Sequence, residues 1–331
     1  MAQSTTVKQS TLSLPNLWKY SGYIVFILVA LFFSLSTSTF LTYGNIINIL
    51  VQSSALGVAA CGITAILIGG GNHVIRGGMD LSIANNLALN TAVIAVLLQS
   101  GFSFWTAVGL SLLCSVAVGI VNAIVVVHFK VIPLLATLAM MYLLQGVELL
   151  LTKNTVVSID NPTLKFIANE TLLNIPIPII VFGVIAISMY IVFNKTVLGQ
   201  WVYASGGNSG AATNAGINVN AVVAFTYILA AVLASIASLL VSSRLAGSVP
   251  GIGNLMLLDV LLAGLMSAIF SRLSMPNIHG AILSAIFVGM LTNGFTLIQV
   301  PTYWIYAIKG ALILFAVTIT TKQQRRLTSN G

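Results

Sequence analysis

Charge is scarce in this sequence. Five residues of 331 are acidic and thirteen are Lys or Arg, so charged side chains make up 5% of the chain, against about 25% in soluble domains. Apolar residues make up 58%. A water-facing fold with this composition would expose apolar area far beyond ordinary surface patches, so a soluble globular protein is excluded and lipid is the main solvent. Cysteine is nearly absent. Cys61 and Cys114 both fall inside apolar runs and read as small hydrophobes, with no disulfide framework or metal spacing. His73, His128 and His279 stand far apart, again without a metal-type spacing. No set of paired catalytic groups is visible. The formal charge of +8 comes from basic residues scattered singly between apolar runs. Nucleic-acid binding needs them clustered on one face; Lys and Arg at a membrane edge account for them better.

Apolar runs of spanning length occupy 21–41, 46–68, 103–127, 131–151, 175–193, 221–243 and 302–320. Weaker runs at 80–99, 255–271 and 278–298 carry Asp80, Asp259 and Asn293 within them or at their ends. A crossing helix needs about 20 apolar residues, so the expected fold is an all-α polytopic membrane protein of about ten spans, some interrupted. With the N-terminus in the cytoplasm, Lys8, Lys19, Arg76, Lys130, Lys195, Arg272, Lys322, Arg325 and Arg326 fall inside. Lys153, Lys165 and Arg244 fall outside, and Lys309 lies within the last span. That asymmetry favours both termini being cytoplasmic. The first nineteen residues lack the pattern of a secretory peptide, and Tyr20 onward reads as a retained helix. The expected layout is a tail at 1–19, a transmembrane domain at 20–320 and a second tail at 321–331.

Two connections are long. Residues 152–174 would lie outside, and residues 194–220 inside. The second is split by Gly206-Gly207, followed by a small-residue stretch that Asn208 can cap and Gly216 can end. A short helix parallel to the membrane and a plain loop both fit it.

The stretch "LIGGGNHVIRGGMDLSIANNLALN" at 67–90 interrupts two apolar runs with five glycines. It is not a Walker loop, since no Gly-Lys-Ser/Thr follows, and its glycine spacing does not fit a dinucleotide turn. Irregular backbone at membrane depth is tolerated only where protein or a cavity surrounds it. Asp80 is expected to accept N–H groups at the start of the following helix; lining the path or pairing with Arg76 are the alternatives. Asn85, Asn86 and Asn90 should face protein or a cavity rather than lipid. Asp259, preceded by Gly251 and Gly253, reads as the counterpart of Asp80 in the second half, and interrupted pairs of this kind bracket translocation paths. Both carboxylates are expected near the membrane edges, which weakens an ion-relay mechanism. Glu148 and Lys309 would snorkel or pair.

"GGMDLS" at 77–82 resembles a stretch of the permease subunits in the ribose-type branch of bacterial ABC sugar importers. "FLTYGNIINIL" (40–50), "VIPLLATLAM" (131–140), "TVLGQWVYASGGNSGAATNAGINV" (196–219) and "YWIYAIKGALILFAV" (303–317) follow in that family's order. The resemblance covers residues 20–320. The sequence departs from the family in lacking an acidic residue after Gly-Gly-Asn. It also carries "AGLMSAIFSRLSMPNIHGA" (263–281) where relatives have a glycine-rich turn.

The resemblance implies a multi-pass protein of the bacterial inner membrane that moves a monosaccharide or similar small polar solute. It would pair with a second copy or close paralogue, with two ATPase subunits below and a periplasmic solute-binding protein above. The chain itself would hold no cofactor; ATP and Mg would be bound by the partner ATPase. The loop 194–220 would dock on that ATPase through a coupling helix, with Gly206, Gly207, Asn208, Ala211, Ala212, Gly216 and Ile217 as its residues. Gly207 is the position expected to tolerate no bulk. Gly77, Gly78, Asp80, Asn85, Asn86, Asn90, Asp259 and Asn293 are the candidate helix-break or path residues. An ion-coupled secondary transporter of a small polar solute is the alternative.

Overall fold

The structure is a computed structural model that describes residues 20–71, 78–271 and 275–329, with side chains described as far as residue 318. Gly77, Arg76, His73, Arg272 and the tail at 1–19 lie outside the described residues. The described chain is helical: α1 (Ser21–Ser36), α2 (Tyr43–Gly70), α3 (Ile83–Gln99), α4 (Phe104–Ala123), α5 (Pro133–Thr152), α6 (Pro162–Asn169), α7 (Ile177–Lys195), α8 (Val197–Gly207), α9 (Ser209–Asn214), α10 (Val219–Leu245), α11 (Ile252–Met266), α12 (Ile278–Leu297) and α13 (Thr302–Ser329). A π-helical turn, Ile124–His128, extends α4.

Among the described residues six helices are long and apolar enough to cross a membrane, rather than the ten expected. They are α2, α4 with its π extension, α5, α7, α10 and α12. Four shorter apolar helices, Ser21–Ser36, Ile83–Gln99, Ile252–Met266 and Thr302–Thr318, occupy the places of the other expected spans. The shortfall has a physical cause at α3 and α11. α3 begins only after residues 78–82, which are not helical and take up the head of the run 80–99, and α11 ends at Met266, leaving 267–271 of the run 255–271 outside the helix.

Helix is the form such a sequence must take, because hydrocarbon offers no partner for free backbone groups. The hydroxyls inside these runs follow the same rule. Ser53 Oγ donates to Ile49 O at 2.7 Å, Ser54 Oγ to Leu50 O at 2.7 Å and Thr292 Oγ1 to Val288 O at 3.0 Å, each satisfied within its own helix. The small residues of α2 let neighbouring backbones come close. Gly62 is one such point, where a Cβ would stand 3.2 Å from Ala230 Cα of α10. Nearly all of α2 from Ser53 to Ile66 is buried, making it the axis against which α7, α10, α11 and α12 pack.

The connection 152–174 is more ordered than a loop. It carries α6, capped by Asn161 Oδ1, which accepts from Thr163 N at 2.9 Å and Leu164 N at 3.2 Å. β1 (Val157–Ser158) pairs antiparallel with β4 (Gly247–Ser248), and β2 (Thr171–Leu172) with β3 (Ile175–Pro176). The first pairing ties the α5–α6 link to the approach of α11 at one end of the bundle. The connection 194–220 forms α8 and α9 at the opposite end.

Asp259 is not a counterpart of Asp80 in an interrupted segment. It is the eighth residue of the 15-residue α11, and the break lies upstream at Gly247–Gly251. Its carboxylate meets Lys309 Nζ of α13 at 2.6 Å, with Lys309 buried. Lys309 therefore pairs rather than snorkels. Replacing Lys309 with Met strands the carboxylate in an apolar setting and is expected to destabilise the protein by on the order of 3 kcal/mol, read as a lower midpoint of unfolding in detergent. The double variant Asp259→Asn, Lys309→Met is expected to recover most of that loss.

Candidate functional site

The glycine-rich stretch and the split loop, far apart in sequence, meet in space. α2 ends at Gly70, and Gly71 turns the chain with φ 79°. The end of α8 lies directly against this turn. A Cβ on Gly206 would collide with the carbonyl oxygen of Ile68, and one on Gly71 with the carbonyl oxygen of Gly206. Any side chain at either position must push α8 off α2. After the segment 72–77 the chain returns alongside α2, where a Cβ on Gly78 would collide with Ile66 O and stand 3.2 Å from Gly70 Cα. Above this contact is a cavity of about 550 Å³ walled by Gly69–Gly71, Gly78, Ser205–Ser209 and the start of α10, with Tyr227 at its far side.

The elbow between α8 and α9 follows the sequence reading closely. Asn208 Oδ1 accepts from Ala211 N at 3.0 Å, capping α9. Gly216, with φ 84°, closes it, and Ile217 N donates back to Ala212 O at 3.0 Å. Ala212 is buried while Gly207, Asn208, Ala211 and Gly216 are exposed, so the elbow presents an open face at the end of the bundle. Within the chain itself Gly207 is uncrowded. No heavy atom lies within 4 Å of a Cβ placed there, and the close approach belongs to Gly206. Helix α8 itself was not visible in the sequence reading.

Asp80 stands at the start of α3 as expected. Its Oδ1 accepts from Ser82 N at 2.7 Å and Ser82 Oγ at 2.6 Å. Asn122 of α4 donates to Ser82 Oγ at 2.9 Å, and Thr137 of α5 accepts from Leu81 N at 3.1 Å. All four side chains are buried. The irregular backbone at 79–82 is thus enclosed by protein, the condition for irregular backbone at membrane depth. Asn122 and Thr137 escaped the sequence reading, although a lone Asn in the apolar run 103–127 is the same signal that singled out Asn85.

The asparagines form joints between helices. Asn85 Nδ2 donates to Met141 O of α5 at 3.0 Å and lies 3.4 Å from Asn254 Oδ1 of α11. Asn90 Nδ2 donates to Asn86 Oδ1 at 2.9 Å, and Asn90 Oδ1 accepts from Ser111 Oγ of α4 at 2.7 Å. Asn293 of α12 exchanges two hydrogen bonds with Asn45 of α2, at 2.9 and 3.0 Å. Glu148 Oε1 accepts from Gly251 N at 2.9 Å, at the N-terminus of α11, where a carboxylate is favoured. None of these residues walls the 550 Å³ cavity.

The chain matches the family described as "Branched-chain amino acid transport system / permease component" over residues 45–317. Over 307 residues it is 31% identical to the ribose import permease protein RbsC of Escherichia coli (strain K12), covering 90% of this chain and 92% of that protein. It is 30% identical over 301 residues to the ribose import permease protein RbsC of Bacillus subtilis (strain 168), with 90% and 91% covered. To the D-allose transport system permease protein AlsC of Escherichia coli (strain K12) it is 30% identical over 305 residues, with 90% and 89% covered. No solved structure matches it. The chain belongs to this permease family: it is a multi-pass membrane permease subunit of the ABC importer type. Membership of a permease family accords with the expectation that the chain is a transport subunit and not an enzyme.

Replacing Asp80 with Ala leaves the Ser82 N–H and hydroxyl without their acceptor in a buried site and is expected to cost about 1–3 kcal/mol. Asp80→Asn keeps an acceptor oxygen and should lose less. Thermal unfolding of the purified variants in detergent compares the two.

Proposed function

We propose that this chain carries a monosaccharide or similar small polar solute through the bacterial inner membrane, powered by a separate ATPase and supplied by a periplasmic solute-binding protein. In this reading the four short apolar helices join the six long ones to give ten spans. Both termini and the elbow of α8 and α9 face the cytoplasm, and the α6 end faces the periplasm. The solute class follows the ribose and allose permeases to which the chain is similar. The working unit holds two permease chains, a second copy or a close paralogue, above two ATPase subunits that bind ATP and Mg.

The observation that carries this reading is the seat of Gly206 on the end of α2. The coupling loop 194–220 presents Gly207, Asn208 and Ala211 outward for the ATPase, while Ala212, Gly216 and Ile217 hold its shape. Gly206 joins that exposed elbow to the most buried helix of the bundle with bare backbone. A displacement of the elbow must then move α2 or break the contact, which is what coupling between two sites requires. Gly78, Asp80, Asn85, Asn86, Asn90 and Asn293 fix the break before α3 and the joints between helices, so that the bundle moves as bodies rather than residue by residue.

Reconstitution of the chain with its ATPase and binding protein, followed by a screen of pentoses, hexoses and branched-chain amino acids, tests the reading. ATP-dependent uptake of one sugar, with stimulated hydrolysis, is the expected result. Uptake by this chain alone under a proton or sodium gradient would overturn it. Within the same system, Gly206→Val is expected to lower the ratio of solute imported to ATP hydrolysed by at least about tenfold, the scale of a 1.4 kcal/mol change in coupling. Gly183→Ala, in open space on α7 and away from the elbow, should leave it unchanged.

A further inference from the structure

The hairpin ahead of α7 is built against its own turn chemistry. β2 and β3 are joined by Leu173 and Asn174, both left-handed, with φ 53° and 64°. A two-residue turn of this kind calls for Asn-Gly or Asp-Gly, and a leucine there is strained. Leu173 is also 87% exposed. Leu172 and Ile175 are cross-strand partners, and residues directly opposite each other in a ladder project from the same face. Both are exposed. One face of the hairpin and its tip are therefore apolar and bare, and no residue from Thr171 to Ile175 is charged. A tip in water would carry glycine or asparagine without strain. The leucine marks a tip that meets something apolar.

The level of that tip is set by α7. This helix has 19 residues, about 28 Å at 1.5 Å per residue, against a hydrocarbon core of about 30 Å. It has no length to spare, so Ile177 sits at the edge of that core. Ile177 N donates to Glu170 O at 3.2 Å, which pins the base of the hairpin to the same level. The chain from Leu173 to Ile177 reaches at most about 13 Å even when extended. α7 also borders lipid, since Val184, Ile187 and Ile191 stand exposed along one stripe of it. A soluble partner that docks and leaves would return the bare leucines to water in every cycle, whereas the membrane is always present. We propose that the hairpin 171–176 is a membrane anchor, with Leu172, Leu173 and Ile175 set into the hydrocarbon edge of the leaflet at the α6 end.

The anchor acts on the helix that leads to the elbow. α7 meets α8 across bare backbone, where a Cβ on Gly199 would collide with the carbonyl oxygens of Val192 and Phe193. A hairpin held in the leaflet fixes the opposite end of α7, so that α7 keeps its depth when the elbow is displaced. Which leaflet is entered, and what displaces the elbow, rest on the importer reading above; the insertion itself does not.

The test uses the assembled importer in phosphatidylethanolamine–phosphatidylglycerol vesicles, with Cys61 and Cys114 replaced by Ala. Nitroxide labels on Leu172→Cys and Leu173→Cys are compared with one on Asp160→Cys, where the native side chain is charged and 83% exposed, and one on Ile187→Cys, midway along α7. Oxygen collects in hydrocarbon and a hydrophilic nickel chelate in water, so the ratio of their collision rates reports depth. That ratio at 172 and 173 should exceed the ratio at 160 by at least about fivefold and approach that at 187, with or without the binding protein. A ratio equal to that at 160 would overturn the anchor. So would a shielded tip that appears only when the binding protein is added, which would assign the face to that partner. Either result leaves the importer reading standing, because that reading fails only on uptake without the ATPase. The double variant Leu172→Ser, Leu173→Asn suits the turn and removes the apolar tip. It is expected to lower solute imported per ATP hydrolysed about threefold, and an unchanged ratio would overturn the hairpin's hold on α7.

Discussion

A helix end can rest its backbone on another helix's backbone only where a side chain is missing at the point of contact, and that condition is met where α8 ends on α2. Gly206 faces the Ile68 carbonyl, and Gly71 faces the Gly206 carbonyl. The rest of the arrangement depends on this contact. α2 is buried along most of its length and packs against α7, α10, α11 and α12. α8 leads directly into the exposed elbow capped by Asn208. Bare backbone has no rotamers to absorb a push, so the joint is stiffer than one made of long side chains.

A second constraint shapes everything else: in lipid each polar group must find its partner inside the protein. The break before α3 obeys it through Asp80, Ser82, Asn122 and Thr137, drawn from three elements. Asn45 and Asn293 obey it by pairing with each other. Glu148 obeys it at the head of α11, and Lys309 at Asp259. These partners cross between helices, so they fix which helices are neighbours as well as satisfying themselves.

The sequence made the solvent legible, because charge and apolar content leave no other choice. It made the elbow legible too, since Asn208 as cap and Gly216 as stop are local signals carried by single residues. The same holds for Asp80, whose partners sit two residues away. What escaped was long-range. Nothing near Asp259 announces that Lys309 lies opposite, nor does anything near Asn254 announce Asn85. The glycine pair 206–207 was visible as a pair, but which member is crowded depends on α2, far away in the chain. The span count was blurred for a related reason. Apolar runs show where the chain is in lipid, while non-helical backbone before α3 and after α11 shortens the helices inside those runs without changing their composition.

The central claim is that the exposed elbow and the end of α2 move as one body. Spin labels on Ser209→Cys and Leu67→Cys, in a background with Cys61 and Cys114 replaced by Ala, report the distance between the elbow and α2 in the assembled transporter. The account predicts the same narrow distance distribution with and without ATP while the labelled complex still imports solute. A distribution that shifts or broadens on ATP binding, in a complex with normal uptake, would contradict it.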